Sequence, residues 1–143
     1  MRESDQCFTP PELFEQLGLR FDLDVASPAG GVPWVPCDRY LTEADDGLTA
    51  EWHGRVWMNP PYSKPAPWVE RFTQHGNGVA LLPISKSRWF RDLWGRADVR
   101  LVFPAPYLKF IKDDKPHSIY MPVIFAAMGK ECCRAIAKHG RLR

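Results

Sequence analysis

The most chemically pointed stretch of the chain is Asn59-Pro60-Pro61-Tyr62. Proline restricts the residue before it to extended conformations and brings no N–H of its own. Pro60 and Pro61 therefore hold Asn59 and Pro60 in a stiff turn whose free groups are acceptors. An amine conjugated to an aromatic ring is a poor nucleophile. If the Asn59 side-chain oxygen and the Pro60 carbonyl accept its two protons, lone-pair character returns to the nitrogen, which can then attack an electrophilic methyl group. Tyr62 adds a flat face for a planar base or amide. A base inside a duplex must first be extruded, at a cost of roughly a few kcal/mol that stacking partly offsets. The proton can leave to solvent after transfer, so this chemistry calls for no general base and no metal. The competing reading is a proline-rich turn that merely follows a strand, and four letters in isolation weigh the two equally.

These groups need elements to hold them. Arg55-Val56-Trp57-Met58 reads as a short apolar strand leading into the turn, and Trp68, Val69 and Phe72 suggest a helix ending near Gly76. Thr9-Pro10-Pro11-Glu12 reads as a helix start, with a threonine N-cap, a proline where the backbone N–H would be orphaned, and a glutamate placed for a capping box. Leu13, Phe14 and Leu17 then share a face, and Gly18 closes the helix. Phe21-Asp22-Leu23-Asp24-Val25 alternates apolar and acidic residues as a half-buried strand does, then opens into turn formers from Ala26 to Gly31. Val79-Ala80-Leu81-Leu82-Pro83 is nearly all apolar, as a central strand covered on both faces must be, and Ser87 is placed to cap a helix through Trp89, Phe90, Leu93 and Trp94. Trp34 to Cys37, Val99 to Phe103 and Ile119 to Met128 read as further strands, with Pro122 suited only to an edge or bulge. Lys130 to His139 reads as a closing helix and Lys112-Asp113-Asp114-Lys115 as an exposed loop. The alternation predicts one compact α/β domain over residues 1–143, layered about a mostly parallel sheet, with ligands at the strands' carboxyl ends. The loops after Val25 and Met58 both open there, which moves the balance toward a site at Asn59.

With 143 residues, 45% of them hydrophobic, the chain can bury one core, and its net charge of +2 tolerates a nucleic-acid partner without demanding one. It has no apolar run of about 18 residues and no basic-then-apolar leader, so a cytoplasmic protein without membrane contact is expected. Cys7, Cys37, Cys132 and Cys133 form no C-x-x-C pair, and His53, His75, His117 and His139 show no ligand spacing with them. Reduced, packed thiols and no metal are expected.

Several segments, in order along most of the chain, resemble the phage-encoded DNA N-6-adenine methyltransferases, a Dam-like family. They are Thr9-Pro10-Pro11-Glu12-Leu13-Phe14, Phe21-Asp22-Leu23-Asp24-Val25-Ala26, Asp46-Gly47-Leu48, Val56-Trp57-Met58-Asn59-Pro60-Pro61-Tyr62-Ser63, and Leu81-Leu82-Pro83 with Ser87-Arg88-Trp89-Phe90. Each is weak alone; in register they are specific. The resemblance implies a Rossmann-like methyltransferase fold and S-adenosylmethionine as donor, leaving S-adenosylhomocysteine. It also implies adenine N6 in DNA as acceptor and a phage or prophage protein in the cytoplasm of a bacterial host. Carried over residue by residue, Asn59, Pro60, Pro61 and Tyr62 form the catalytic floor. Asp24 would bind the methionine amino group of the cofactor, Asp46 would lie near its adenine, and Thr9 and Pro10 would flank its pocket, which Asn59 borders. No G-x-G follows Asp24, so close backbone approach would fall to Ala26 and Ser27; Asp38 is the nearest candidate for the ribose hydroxyls. On the residues alone, Asp24 and Asp46 read as turn residues and Thr9 as a helix cap.

No insertion is large enough for a separate recognition domain, so base contacts would come from loops around the site or from a second subunit. The loop Ser85-Lys86-Ser87-Arg88 offers two hydroxyls and two cations, with Lys86, Ser87 and Arg88 the candidates for phosphate contact, against the plainer reading of a solvated helix start. Trp89 is a further candidate for stacking on a base, and Lys138 to Arg143 reads as a solubilising tail. Two rival functions remain on the residues alone. A protein glutamine-N5 methyltransferase would meet the same acceptor edge with an amide NH2, and a non-catalytic nucleic-acid-binding protein would suit the small scaffold and missing G-x-G. RNA as acceptor stays open as well.

Overall fold

The computed structural model describes residues 9–104, 110–112, 115–117, 122–138 and 140–142. The described elements are α1 (Pro11–Leu17), β1 (Phe21–Asp24), β2 (Cys37–Tyr40), β3 (Val56–Met58), α2 (Ala66–His75), β4 (Gly78–Pro83), α3 (Arg88–Trp94), β5 (Arg100–Pro104), β6 (Phe110–Lys112), β7 (Lys115–His117), β8 (Val123–Met128), α4 (Lys130–Ile136) and β9 (Gly140–Leu142). Seven strands form one sheet in the order β2-β1-β3-β4-β8-β5-β9, while β6 and β7 pair separately.

The α/β architecture agrees with the sequence pattern, but the sheet is mixed rather than mostly parallel. β2, β1, β3 and β4 pair in parallel, and β8 then lies antiparallel to both β4 and β5, with β9 antiparallel to β5. The crossover through α3 leaves a gap one strand wide between β4 and β5, and β8 fills it from the opposite direction. The run Val123–Met128 is buried throughout, and an all-apolar strand looks the same in either direction.

Alternation along the central strands sends side chains into two cores. Val56, Met58, Ala80, Leu82, Ile124 and Ala126 pack with Val69, Phe72, Phe90 and Leu93 of α2 and α3. Trp57, Val79, Leu81, Phe125 and Ala127 pack on the other face with Leu13, Phe14 and Leu17 of α1 and Cys132 and Ile136 of α4. This double coverage is why β4 reads as a continuous apolar run. α1 ends as its sequence suggests, with Gly18 in the left-handed region at φ 64° and its N–H donating to the Phe14 carbonyl.

Several expectations are corrected. The strand placed at Trp34 to Cys37 is Cys37–Tyr40, because the chain first needs Gly30 and Gly31, at φ 84° and 78°, to turn back. α1 starts from Pro10, without a side-chain cap, so Thr9 is not its cap. The capping box lies instead at Thr42, which exchanges bonds with Asp45. Ser87 occupies the N-cap position of α3 but makes no capping bond. Trp89 is half-buried against the α2/α3 core. Lys112 and Lys115 belong to a paired hairpin, and residues 140–142 form β9 rather than a loose tail. Cys7, Asp113, Asp114 and Ile119 to Met121 lie outside the described residues. Pro122 precedes β8 and its carbonyl accepts the Ile84 N–H, so the strand itself contains no proline. Burial pushes the Cys132 thiol up to about 11, which keeps it protonated.

Gly47 fastens the loop from Thr42 to Trp52 onto the sheet. A Cβ there would lie 2.2 Å from the Val25 carbonyl oxygen and 2.8 Å from the Trp68 ring, and the Gly47 carbonyl accepts the Trp52 indole N–H at 2.7 Å. Gly47→Ala forces this backbone apart and is expected to destabilise the protein by about 1–3 kcal/mol, read as a lower midpoint in thermal or urea unfolding.

Candidate active site

β1 and β3 are parallel neighbours, with Asp24 opposite Trp57, and the Val25 N–H donates to the Trp57 carbonyl at 3.1 Å. The chain leaves both strands at the same sheet edge, so Asp24 and Asn59 emerge side by side at the carboxyl ends, where α/β proteins build ligand sites. Trp57 is 2% exposed and meets Phe14 edge-on at 4.8 Å, with Phe21 tilted against it at 5.7 Å. That packing sets α1 across the end of β3 and brings the residue before its N-cap over the Asn59 turn.

Thr9 is 3% exposed, and its hydroxyl accepts a hydrogen bond from Asn59 Nδ2 at 3.3 Å. Its carbonyl accepts the Trp34 indole N–H at 2.7 Å. With Nδ2 engaged, the Asn59 amide presents Oδ1 as its acceptor end. Pro60 is buried, and Asn59, Pro61 and Tyr62 are half-buried. The Tyr62 ring packs against the α1/α4 core and its hydroxyl donates to the Leu81 carbonyl of β4 at 3.2 Å, which fixes the ring beside the turn.

Asp24 is a carboxylate 3% exposed, and the Ala26 N–H donates to its Oδ1 at 3.2 Å. Burial raises its pKa from 3.8 to about 7, and the Ala26 bond offsets only part of that. The same carboxylate, after burial, helps to raise the Cys37 thiol. Ser27 is buried with its N–H on the Leu41 carbonyl, and the Leu41 N–H returns to the Asp24 carbonyl, so β1 and the chain beyond β2 are stitched together at this end.

The other expected residues fall into place unevenly. Asp46 is exposed and left-handed at φ 53°, the turn residue its type suggests, and reaches the site only through Gly47 packed on Val25. Pro10 is buried as the start of α1. Lys86, Ser87 and Arg88 are exposed beyond the carboxyl end of β4; the Ser87 N–H donates to the Ser85 hydroxyl oxygen, and Arg88 faces Asp92 one turn on at 3.8 Å. Asp38 is exposed on β2, where Arg20 binds its carboxylate at 2.6 Å and 2.9 Å. Trp34 is the participant that sequence reasoning missed. Its only signal was an N–H-bearing aromatic in an otherwise irregular proline-rich loop. Among the described residues no group of three His, Cys, Asp or Glu could hold a metal ion, and no helix is long and apolar enough to cross a membrane.

The fold and site define an α/β protein whose polar and aromatic groups gather at the carboxyl ends of adjoining parallel strands. Its sequence matches the profile of the DNA N-6-adenine-methyltransferase (Dam) family over residues 1–120, and the chain belongs to that family. It is 38% identical over 83 residues to the DNA N-6-adenine-methyltransferase of Haemophilus phage HP1 (strain HP1c1). The match covers 53% of this chain and 46% of that protein, so the chain spans about half the length of the curated relative. No solved structure matches. Membership favours neither the glutamine-methylating nor the non-catalytic alternative.

Asp24 has a direct consequence for stability. The unfolded carboxyl ionises near 3.8 and the folded one near 7, so between those values the unfolded chain releases a proton that the folded chain keeps. Stability from this group is highest below about pH 4, falls by up to about 4 kcal/mol as pH rises to 7, and is flat above. Asp24→Asn should therefore melt above the parent protein at pH 8, with the difference disappearing by pH 4 in paired thermal scans.

Proposed function

We propose that the protein transfers a methyl group from S-adenosylmethionine to N6 of adenine in DNA, on a Rossmann-like methyltransferase fold. The observation that carries this reading is the juxtaposition of the Asn59 acceptor edge with the buried Asp24 carboxylate on the neighbouring parallel strand. The residues present fit the cofactor. Among the described residues no cation pairs with this almost buried carboxylate, which takes one backbone donor, and the α-amino group of S-adenosylmethionine would supply the counter-charge. S-adenosylmethionine, when bound, supplies an electrophilic methyl group. Asp24 would hold its amino group, Thr9, Pro10, Ala26 and Asn59 would border its pocket, and Asp46 would be the residue on the side of its adenine.

The chain's own groups then act on the acceptor. Asn59 Oδ1 and the Pro60 carbonyl accept the two protons of the adenine amine and concentrate its lone pair; Pro61 keeps that edge rigid. Tyr62, fixed through Leu81, gives the extruded base a face to lie on. Lys86, Ser87 and Arg88 contact backbone phosphates. Once the nitrogen is alkylated its extra proton passes to solvent.

The test is methyl transfer from labelled S-adenosylmethionine to unmodified duplex DNA, with protein and RNA acceptors in parallel and mass spectrometry of the digests. N6-methyladenine in DNA is the expected product; label only in protein or RNA, or none, overturns the reading. Asn59→Ala should lower kcat by about 100-fold or more while cofactor affinity holds. Equal loss of both would make Asn59 a structural residue. The cofactor dissociation constant should also track Asp24. Affinity should fall toward tenfold per pH unit below about 7, and fall again above about 8 as the ligand's α-amino group loses its charge. Asp24→Asn should weaken binding and remove the acid limb, as read by calorimetric titration.

A further inference from the structure

We infer that Thr9 is a positioning residue whose hydroxyl aims the Asn59 amide, with Trp34 holding Thr9 in turn; the inference rests on the methyl-transfer reading above. The terminal torsion of asparagine is soft and nearly two-fold, so an amide left alone presents either its oxygen or its NH2 to the same point in space. Only the oxygen serves an acceptor edge. An NH2 there would meet the donor hydrogens of the substrate amine head-on. Pro60 and Pro61 stiffen the backbone but do nothing for this side-chain torsion, so a separate contact must set it.

Thr9 provides that contact. Its hydroxyl is out of solvent, where a polar group needs a partner, and the partner is Asn59 Nδ2 at 3.3 Å. The threonine is itself held from two directions. The Trp34 indole N–H bonds its carbonyl at 2.7 Å, and the helix that begins at Pro11 is docked through Phe14 on Trp57, two residues before Asn59. Residues 50 positions apart in the chain thus meet through one hydroxyl. The hydroxyl never touches the reacting atoms in this scheme. It restricts the torsion of the group that does, and a small loss of aim at a reacting centre has a large kinetic effect.

The experiment compares Thr9→Val, which keeps the shape and removes the hydroxyl, with Thr9→Ser, which keeps the hydroxyl. Thr9→Val should lower kcat by about 10- to 100-fold while the KM and Kd for S-adenosylmethionine, whose pocket Thr9 borders, change far less than kcat does, and Thr9→Ser should recover most of the rate. Trp34→Phe should give a smaller loss of the same kind. In an Asn59→Ala background, Thr9→Val should cost nothing further, because the group being aimed is gone. A second readout needs no activity: the Asn59 side-chain NH2 resonances, assigned by their absence in Asn59→Ala, should shift and exchange faster in Thr9→Val and stay near the parent in Thr9→Ser. Equal effects of Val and Ser, lost cofactor affinity at full kcat, additive losses in the double variant, or an unmoved NH2 signal would each overturn the inference. If the parent protein methylates no DNA but the NH2 signal responds as described, the activity reading fails while the positioning contact stands.

Discussion

Buried at 2% exposure, Trp57 meets the edge of Phe14 and leans on Phe21, and this aromatic packing ties the first helix to the strand that delivers Asn59. Strands β1 and β3 are only four and three residues long, too short to orient anything by hydrogen bonds alone. Their ends are held by what lies across them. A large rigid ring on the α1 face of β3 gives the helix one place to sit, and the residues just before the helix then have one place to go. Thr9, Asn59 and the Trp34 loop are brought together by that single docking.

Asp24 shows the opposite economy. Its burial opposes ionisation, and the Ala26 N–H offsets only part of that. Burial has pushed it to about 7, within reach of neutrality, which leaves the group poised between charge states. Groups held this way concentrate at ligand sites, where a cation arriving from outside completes them. The neighbouring strand end, closed by the Ser27, Leu41 and Asp24 backbone bonds, keeps that carboxylate from swinging out to water.

Much of this was legible in the residues. Proline and glycine punctuation located α1 and its end at Gly18, and apolar runs located β3, β4 and β8, because burial on both faces leaves no polar alternation. Direction and partner were not legible. Val123–Met128 carries no sign of running antiparallel, and residues 140–142 became a strand only because β5 had an open edge. Within the site, Asn59 and Tyr62 stood out by type and position, whereas Asp24 read on the residues alone as a turn residue and took its binding role from the family resemblance. Thr9 was misread as a helix cap, since a threonine before Pro-Pro-Glu satisfies that pattern locally, and only the tertiary docking of α1 turns its hydroxyl to Asn59 instead. Trp34 reads as the start of a strand, and nothing in its neighbours pointed to Thr9.

The double proline after Asn59 does more than stiffen the turn. With no N–H at either position, the edge displays oxygen lone pairs and no hydrogens, so it repels as well as attracts. Guanine carries an oxygen at its six-position and thymine one at its four-position, and either would set lone pair against lone pair. Adenine and cytosine, which carry an amine there, do not meet that repulsion. On the proposed methyl-transfer reading, the turn would sort bases by the sign of one substituent.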